Sequence, residues 1–208
     1  MDYLQQLITR YPQLKSIEPD IKSAFEILSC SFSNGGKLLI AGNGGSSADG
    51  EHIVGELMKG FAKKRSLKGS FIGDLKNIDN EIGDYLGNCL QRGLPALSLS
   101  SHASLNFAVI NDIDGYVTFA QQVNALGKSE DVFLGISTSG NAMNIRLAAV
   151  VAQAKKMKTI ALTGGSGGEL KRFSDVSIIA PETETYKIQE LHLPIYHCLC
   201  LMLEDHFF

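Results

Sequence analysis

Lys37-Leu38-Leu39-Ile40-Ala41-Gly42 runs directly into Asn43-Gly44-Gly45-Ser46-Ser47, and Val132-Phe133-Leu134-Gly135-Ile136 runs into Ser137-Thr138-Ser139-Gly140-Asn141. Each apolar run reads as a strand, and helical periodicity follows each turn. A strand–turn–helix unit whose turn holds Gly, Ser and Thr exposes backbone N–H groups and hydroxyls at a helix N-terminus. Such a turn suits a phosphate or another small anion. Neither turn fits GxGxxG or GxxxxGK[ST], and no Lys follows at the P-loop position. A nucleoside triphosphate is therefore a poor match, and a small phosphorylated metabolite a better one.

Three further apolar runs extend the pattern: Pro95–Ser100, Thr159–Thr163 and Val176–Ala180. All five are continuous rather than alternating, as strands buried on both faces are. Helical patterns separate them, so the chain reads as a βαβ series. The expected fold is α/β, a doubly wound five-stranded parallel sheet flanked by helices, formed by residues 1–208 as one domain with an N-terminal helical extension. Ligands bind such sheets at the carboxyl ends of strands, where both Gly/Ser turns lie. Asp20 to Asn34 is an amphipathic helix with Ile21, Ala24, Phe25, Leu28 and Phe32 on one stripe, stopped at Asn34-Gly35-Gly36. A last helix runs from about Thr185 to Asp205, with a kink or loosening expected at Pro194. Ile72 to Leu90 reads as one helix that packs in the chain or in an oligomer contact. The N-terminal and last helices carry more apolar surface than one sheet layer needs, which points to an oligomer.

The 208 residues are 44% hydrophobic and 20% charged, with a formal net charge of −3. That composition is globular and offers no nucleic-acid surface. The short basic cluster Lys63-Lys64-Arg65 with Lys68 reads as a solvated loop. No apolar run approaches the ~20 residues of a membrane span. Met1-Asp2-Tyr3-Leu4-Gln5-Gln6 lacks signal-peptide features, and a cytoplasmic location is expected. Cys30, Cys89, Cys198 and Cys200 form no CxxC pair, which suits reduced thiols rather than a disulfide or zinc framework.

Two pairs of residues have chemical potential. His52 and Glu56, at i and i+4 after the first turn, share a helix face. Gln189 and His197 lie on the last helix, eight residues and about 80° apart. Taken alone, each pair also reads as a solvated or packing arrangement. His192 and His206 read as structural or exposed. His102 follows the second strand, with nothing requiring it at the site.

Together these segments resemble a known family. Asn43-Gly44-Gly45-Ser46, His52-x-x-x-Glu56, Asn111-Asp112, Gly135-Ile136-Ser137-Thr138-Ser139-Gly140-Asn141, Ile188-Gln189-Glu190-x-His192 and His197 are similar, in order, to the phosphoheptose isomerases of the sugar-isomerase (SIS) superfamily. The resemblance implies interconversion of sedoheptulose 7-phosphate and glycero-manno-heptose 7-phosphate. It implies substrate contacts from Asn43, Gly44 and Gly45, phosphate contacts from Ser137, Thr138 and Ser139 with Ser46 nearby, and sugar contacts from Asn111 and Asp112. It also implies zinc held by His52, Glu56, Gln189 and His197, with Glu56 and His197 as the acid–base pair, and a homotetramer with sites between subunits. Two features depart from the family pattern. Ala142 stands where a phosphate-contacting Ser is common, and the segment from about Leu67 to Gly93 is longer. The competing readings are a non-catalytic SIS adaptor that binds a replication initiator, and an isomerase of another phosphosugar. His52, Glu56, Gln189 and His197 favour the enzyme over the adaptor.

Overall fold

The computed structural model describes residues 2–208. In chain order its elements are α1 (Tyr3–Arg10), α2 (Glu18–Ser33), β1 (Leu38–Gly42), α3 (Gly45–Met58), α4 (Gly69–Ile78), α5 (Asn80–Cys89) and β2 (Ala96–Ser98). There follow α6 (Ala103–Asp112), α7 (Thr118–Leu126), β3 (Val132–Ile136), α8 (Met143–Ala154), β4 (Lys158–Gly164), β5 (Val176–Ala180) and α9 (Thr185–Phe207). The strands form one parallel sheet in the order β2-β1-β3-β4-β5.

Alternate strand residues feed two separate cores, which explains the unbroken apolar runs. Leu38, Ile40, Leu134 and Ile136 pack with α1, α2, α3 and α9. Leu39, Ala41, Phe133 and Ala161 face the opposite way, against Phe119 and Val123 of α7 and Ile145 and Ala149 of α8. The sheet is thus doubly wound. Much of the N-terminal apolar surface (Leu7, Ile8, Leu14, Ile17, Ile21, Ala24 and Leu28) is buried within this chain. α9 runs through Pro194 to Phe207 as one helix.

The strand order reverses direction at β1, so the gap between β1 and β3 is the switch point where such sheets bind ligands. Gly42 pairs with Ile136 there. Asn43 and Ser137 therefore leave the sheet side by side, and the two Gly/Ser turns become neighbours.

Two expectations need correction. The stretch from Ile72 to Leu90 is a hairpin of two helices, α4 and α5. Asp79 breaks it: its extended backbone (φ −153°, ψ 122°) ends α4, and its carboxylate accepts the Ile82 N–H at 2.8 Å as the N-cap of α5. Ile78, Ile82 and Tyr85 remain exposed. Arg65 is not part of a solvated cluster but is 1% exposed. Its Nε donates to Glu204 Oε1 at 2.8 Å, and its other nitrogens donate to the Leu57 and Glu56 carbonyls at 2.6 and 2.9 Å.

His192 is structural. It is fully buried, and its Nε2 donates to the Thr163 carbonyl at 3.1 Å, while Nδ1 has no partner among the described residues. Burial lowers its pKa to about 4 from an ordinary 6.5, only partly offset by that hydrogen bond. The folded chain thus keeps His192 neutral where the unfolded chain would bind a proton. Its contribution to stability is whole above about pH 6.5 and falls as pH drops toward about 4, at roughly 1.4 kcal/mol per pH unit. Urea unfolding at pH 7 and pH 5 checks this. The wild type is expected to lose roughly 2 kcal/mol more than His192→Gln over those two units; equal losses would exclude the effect.

Candidate active site

α3 and α9 lie side by side and run in the same direction, so contacts between them recur in register. At the start of α3, a Cβ on Gly45 would come within 2.6 Å of the Gln189 Nε2. Seven residues on, His52 Nε2 meets His197 Nε2 at 3.3 Å. Just past the end of α3, Glu204 accepts the Phe61, Ala62 and Lys63 N–H groups at 2.8, 2.8 and 3.1 Å. Steps of seven residues on one helix and eight on the other advance about 10 and 12 Å, which keeps the helices matched.

His52 is the hub of this seam. Its Nε2 also lies 3.2 Å from Glu56 Oε1, as the i, i+4 spacing anticipates. His52 thus stands between Glu56 and His197. The Phe61 and Tyr196 rings pack on the His197 imidazole, with centroids 5.3 and 5.0 Å away. Burial depresses the His197 pKa, the His52 charge adds to this, and Glu56 opposes both. His197 is therefore held toward the neutral form, which can accept a proton. Lys59 Nζ reaches Glu56 Oε2 at 3.4 Å. Reading the sequence did not single out Lys59, although i, i+3 spacing from Glu56 was a usable signal.

The turns meet across the sheet edge. Asn43 Nδ2 donates to Asn144 Oδ1 at 3.0 Å, and Asn144 Nδ2 returns a hydrogen bond to Asn43 Oδ1 at 2.9 Å. This reciprocal amide pair ties the first turn to the start of α8. Ser46 and Ser137 are buried, whereas Gly44 and Ser139 are exposed. Among the described residues, the Thr138 and Ser139 backbone N–H groups donate to no other group of the chain. Gly140 has a reason to be glycine: its φ is +66°, and a Cβ there would lie 2.0 Å from the Gly167 carbonyl oxygen. Ala142 is the N-cap of α8 and provides no side-chain hydrogen bond; in the first turn Asn144 Oδ1 accepts the Ile145 N–H at 3.0 Å instead.

Asn111 and Asp112 are exposed at the end of α6, where Asn111 Nδ2 donates to Asp112 Oδ1 at 2.7 Å. The cleft beside Asn43 is lined by Asp114, Gly115, Tyr116, Ala142, Met143 and Asn144.

As the side chains stand, no three His, Cys, Asp or Glu among the described residues form a group able to hold a metal ion. The donor types nevertheless suit zinc. Two ligands ~2.0 Å from a tetrahedral ion are about 3.3 Å apart, close to the spacings from His52 Nε2 to His197 and to Glu56.

A parallel doubly wound sheet with two hydroxyl-rich turns at its switch point, and a carboxylate–imidazole cluster along the seam of two adjoining helices, defines a phosphosugar-type α/β domain. A SIS domain family model matches residues 83–164. The phosphoheptose isomerase of Helicobacter pylori (strain P12) is 37% identical over 194 residues, covering 93% of this chain and 88% of that protein. The solved phosphoheptose isomerase of Francisella tularensis superposes with a TM-score of 0.77 at 31% identity, over 98% and 95% of the two chains. That of Neisseria gonorrhoeae gives 0.75 at 30%, over 97% and 94%. The chain belongs to the phosphoheptose isomerase family. No helix among the described residues is long and apolar enough to cross a membrane.

Proposed function

We propose that this chain is an aldose–ketose isomerase that converts sedoheptulose 7-phosphate to D-glycero-D-manno-heptose 7-phosphate, a heptose precursor for surface polysaccharide. The observation that carries this reading is the seam between α3 and α9. It joins Glu56, His52 and His197 side by side, while the same two helices bring Gln189 onto the first Gly/Ser turn. One end of a phosphosugar is then held at the turns and its reacting carbons lie further along α3.

Isomerisation moves a proton between adjacent carbons through an enediolate. Glu56 takes the proton from carbon, and His197 manages the proton on the sugar oxygens, a division suited to a carboxylate and a neutral imidazole. Ser137, Thr138 and Ser139 hold the phosphate with Ser46. Asn43, Gly44, Gly45 and Gln189 contact the sugar, and Asn111 and Asp112 complete its binding. His52, Glu56, Gln189 and His197 are the residues that would hold zinc. When bound, the ion would polarise the sugar oxygens as a Lewis acid. Residues 1–208 act as one SIS domain in the cytoplasm, and four copies form a homotetramer with sites between subunits. Exposed Phe107, Ile110, Ile113 and Tyr116, on and just after α6, are the apolar surface that assembly would cover.

Ser139→Ala tests the phosphate assignment. Ser139 is exposed, and among the described residues its hydroxyl's one hydrogen bond is to accept the Asn141 N–H at 3.2 Å. If its contact with phosphate is the same in ground and transition states, KM for sedoheptulose 7-phosphate rises several-fold while kcat changes little. An unchanged KM would move the phosphate elsewhere.

A further inference from the structure

At Nδ1 of His52, the ring nitrogen that does not meet Glu56 and His197, a second polar chain begins. Tyr196 is 2% exposed. Its hydroxyl lies 3.0 Å from His52 Nδ1 and 3.3 Å from Asp49 Oδ1. The rings of Tyr196 and His52 meet edge to face, with centroids 5.4 Å apart at 71°. Asp49 and His52 are i and i+3 on α3, so both face α9. The other Asp49 oxygen, Oδ2, is buried with no partner among the described residues.

Counting protons assigns the direction of these bonds. A carboxylate only accepts, and a phenol has one proton to give. The Tyr196 hydroxyl therefore donates to Asp49, and its oxygen is left to accept from His52. His52 Nδ1 must then carry a proton. The opposite arrangement, with Tyr196 donating to Nδ1, would set the phenol oxygen's lone pairs against Asp49 Oδ1 in a place sheltered from water. It would leave both Asp49 oxygens without a donor, an expensive state for a buried charge.

We infer that Tyr196 and Asp49 are positioning residues that hold His52 through a proton on Nδ1 and so fix its ring with Nε2 aimed at Glu56 and His197. The nitrogen that meets the reacting site is the one the relay does not use. Which ring nitrogen of a histidine is available is set by the hydrogen bond the other makes. Here the partner is a phenol backed by a carboxylate instead of a carboxylate alone. The kinetic part of this inference rests on the isomerase reading above; the protonation part does not.

The test is nitrogen NMR of the full chain, treated with a chelator so that no metal fixes the ring form, with ring-¹⁵N histidine, at a pH about two units above the ordinary histidine value of ~6.5. His52 is assigned by the loss of its signals in His52→Asn. The expected spectrum has a proton-bearing Nδ1. Tyr196→Phe keeps the ring and removes the hydroxyl; Asp49→Asn keeps the shape and removes the charge. Either change should release the Nδ1 proton into a mixture of the two ring forms. Each should also lower kcat about 10- to 100-fold, the range for losing a group that orients a site histidine, with KM moving much less. Thermal unfolding identifies a variant that has lost its fold, in which case the other decides. A wild-type Nδ1 without its proton would overturn the inference. So would folded variants that retain wild-type nitrogen shifts. If the shifts respond as expected but the wild type turns over no sugar phosphate, the isomerase reading fails and the positioning of His52 stands.

Discussion

Glu56→Gln and His197→Ala are each expected to lower turnover of sedoheptulose 7-phosphate by ~10²–10⁴, the range for a positioned acid or base. The two residues sit 141 positions apart in sequence, yet His52 touches both, at 3.2 and 3.3 Å. Gln keeps the shape of Glu and cannot take a proton from carbon, so kcat should fall with little change in fold. His197→Ala also opens space beside the Phe61 and Tyr196 rings, so its circular dichroism must be compared with wild type. His52→Ala should differ in kind: if His52 helps to hold zinc, excess zinc restores part of its lost activity. Folded Glu56→Gln and His197→Ala proteins with near-normal turnover would exclude the acid–base assignment, and the adaptor reading would gain from an inactive wild type.

The largest stability effect is expected at Arg65. Its guanidinium pairs with Glu204 where both side chains are almost fully buried, at 0% and 1% exposure. It also donates to the Glu56 and Leu57 carbonyls at the end of α3, and it stacks on the Phe208 ring 4.6 Å from the centroid. Burial alone would raise the Glu204 carboxyl. The Phe61 and Ala62 amides and Arg65 outweigh that, holding it below the ordinary carboxylate range. A carboxyl lowered in the fold adds stability above its unfolded value, and that stability is lost as pH falls through the folded value. Arg65→Met fills much of the space but leaves the Glu204 charge without its cation. Removing one partner of a buried pair typically costs about 3–5 kcal/mol. The urea midpoint of Arg65→Met should therefore drop sharply, and adding Glu204→Gln should recover part of the loss. A midpoint within error of wild type would mean that the three backbone amides suffice to hold Glu204.

The same pair explains what the sequence could and could not reveal. The strands were legible because burial on both sheet faces leaves no polar alternation: Val132–Ile136 and Val176–Ala180 are strands as read, and Lys37–Gly42 differs from β1 by one residue. The turns were legible because Gly, Ser and Thr cluster where strand gives way to helix. The α4–α5 break was hidden because apolar spacing continues across Asp79 in helical phase, although an Asp-Asn step followed by Glu81 is the composition of a helix start. Arg65 was misread because its burial depends on Glu204, 139 residues away. Asp49 and Tyr196 were passed over for the same reason, their contact spanning 147 residues. Local spacing placed His52 with Glu56. Only the parallel course of α3 and α9 brings His197, Tyr196 and Gln189 to that helix.

The central claim is that this chain moves a proton between adjacent sugar carbons using its own acid and base. Incubation with sedoheptulose 7-phosphate in deuterium oxide tests it directly, with the aldose product examined by NMR and mass spectrometry. Proton transfer through an enediolate lets the base exchange with solvent, so the account predicts glycero-manno-heptose 7-phosphate carrying deuterium at C2. Aldose product still free of deuterium at C2 after many reversals at equilibrium, or no aldose product at all, would contradict it.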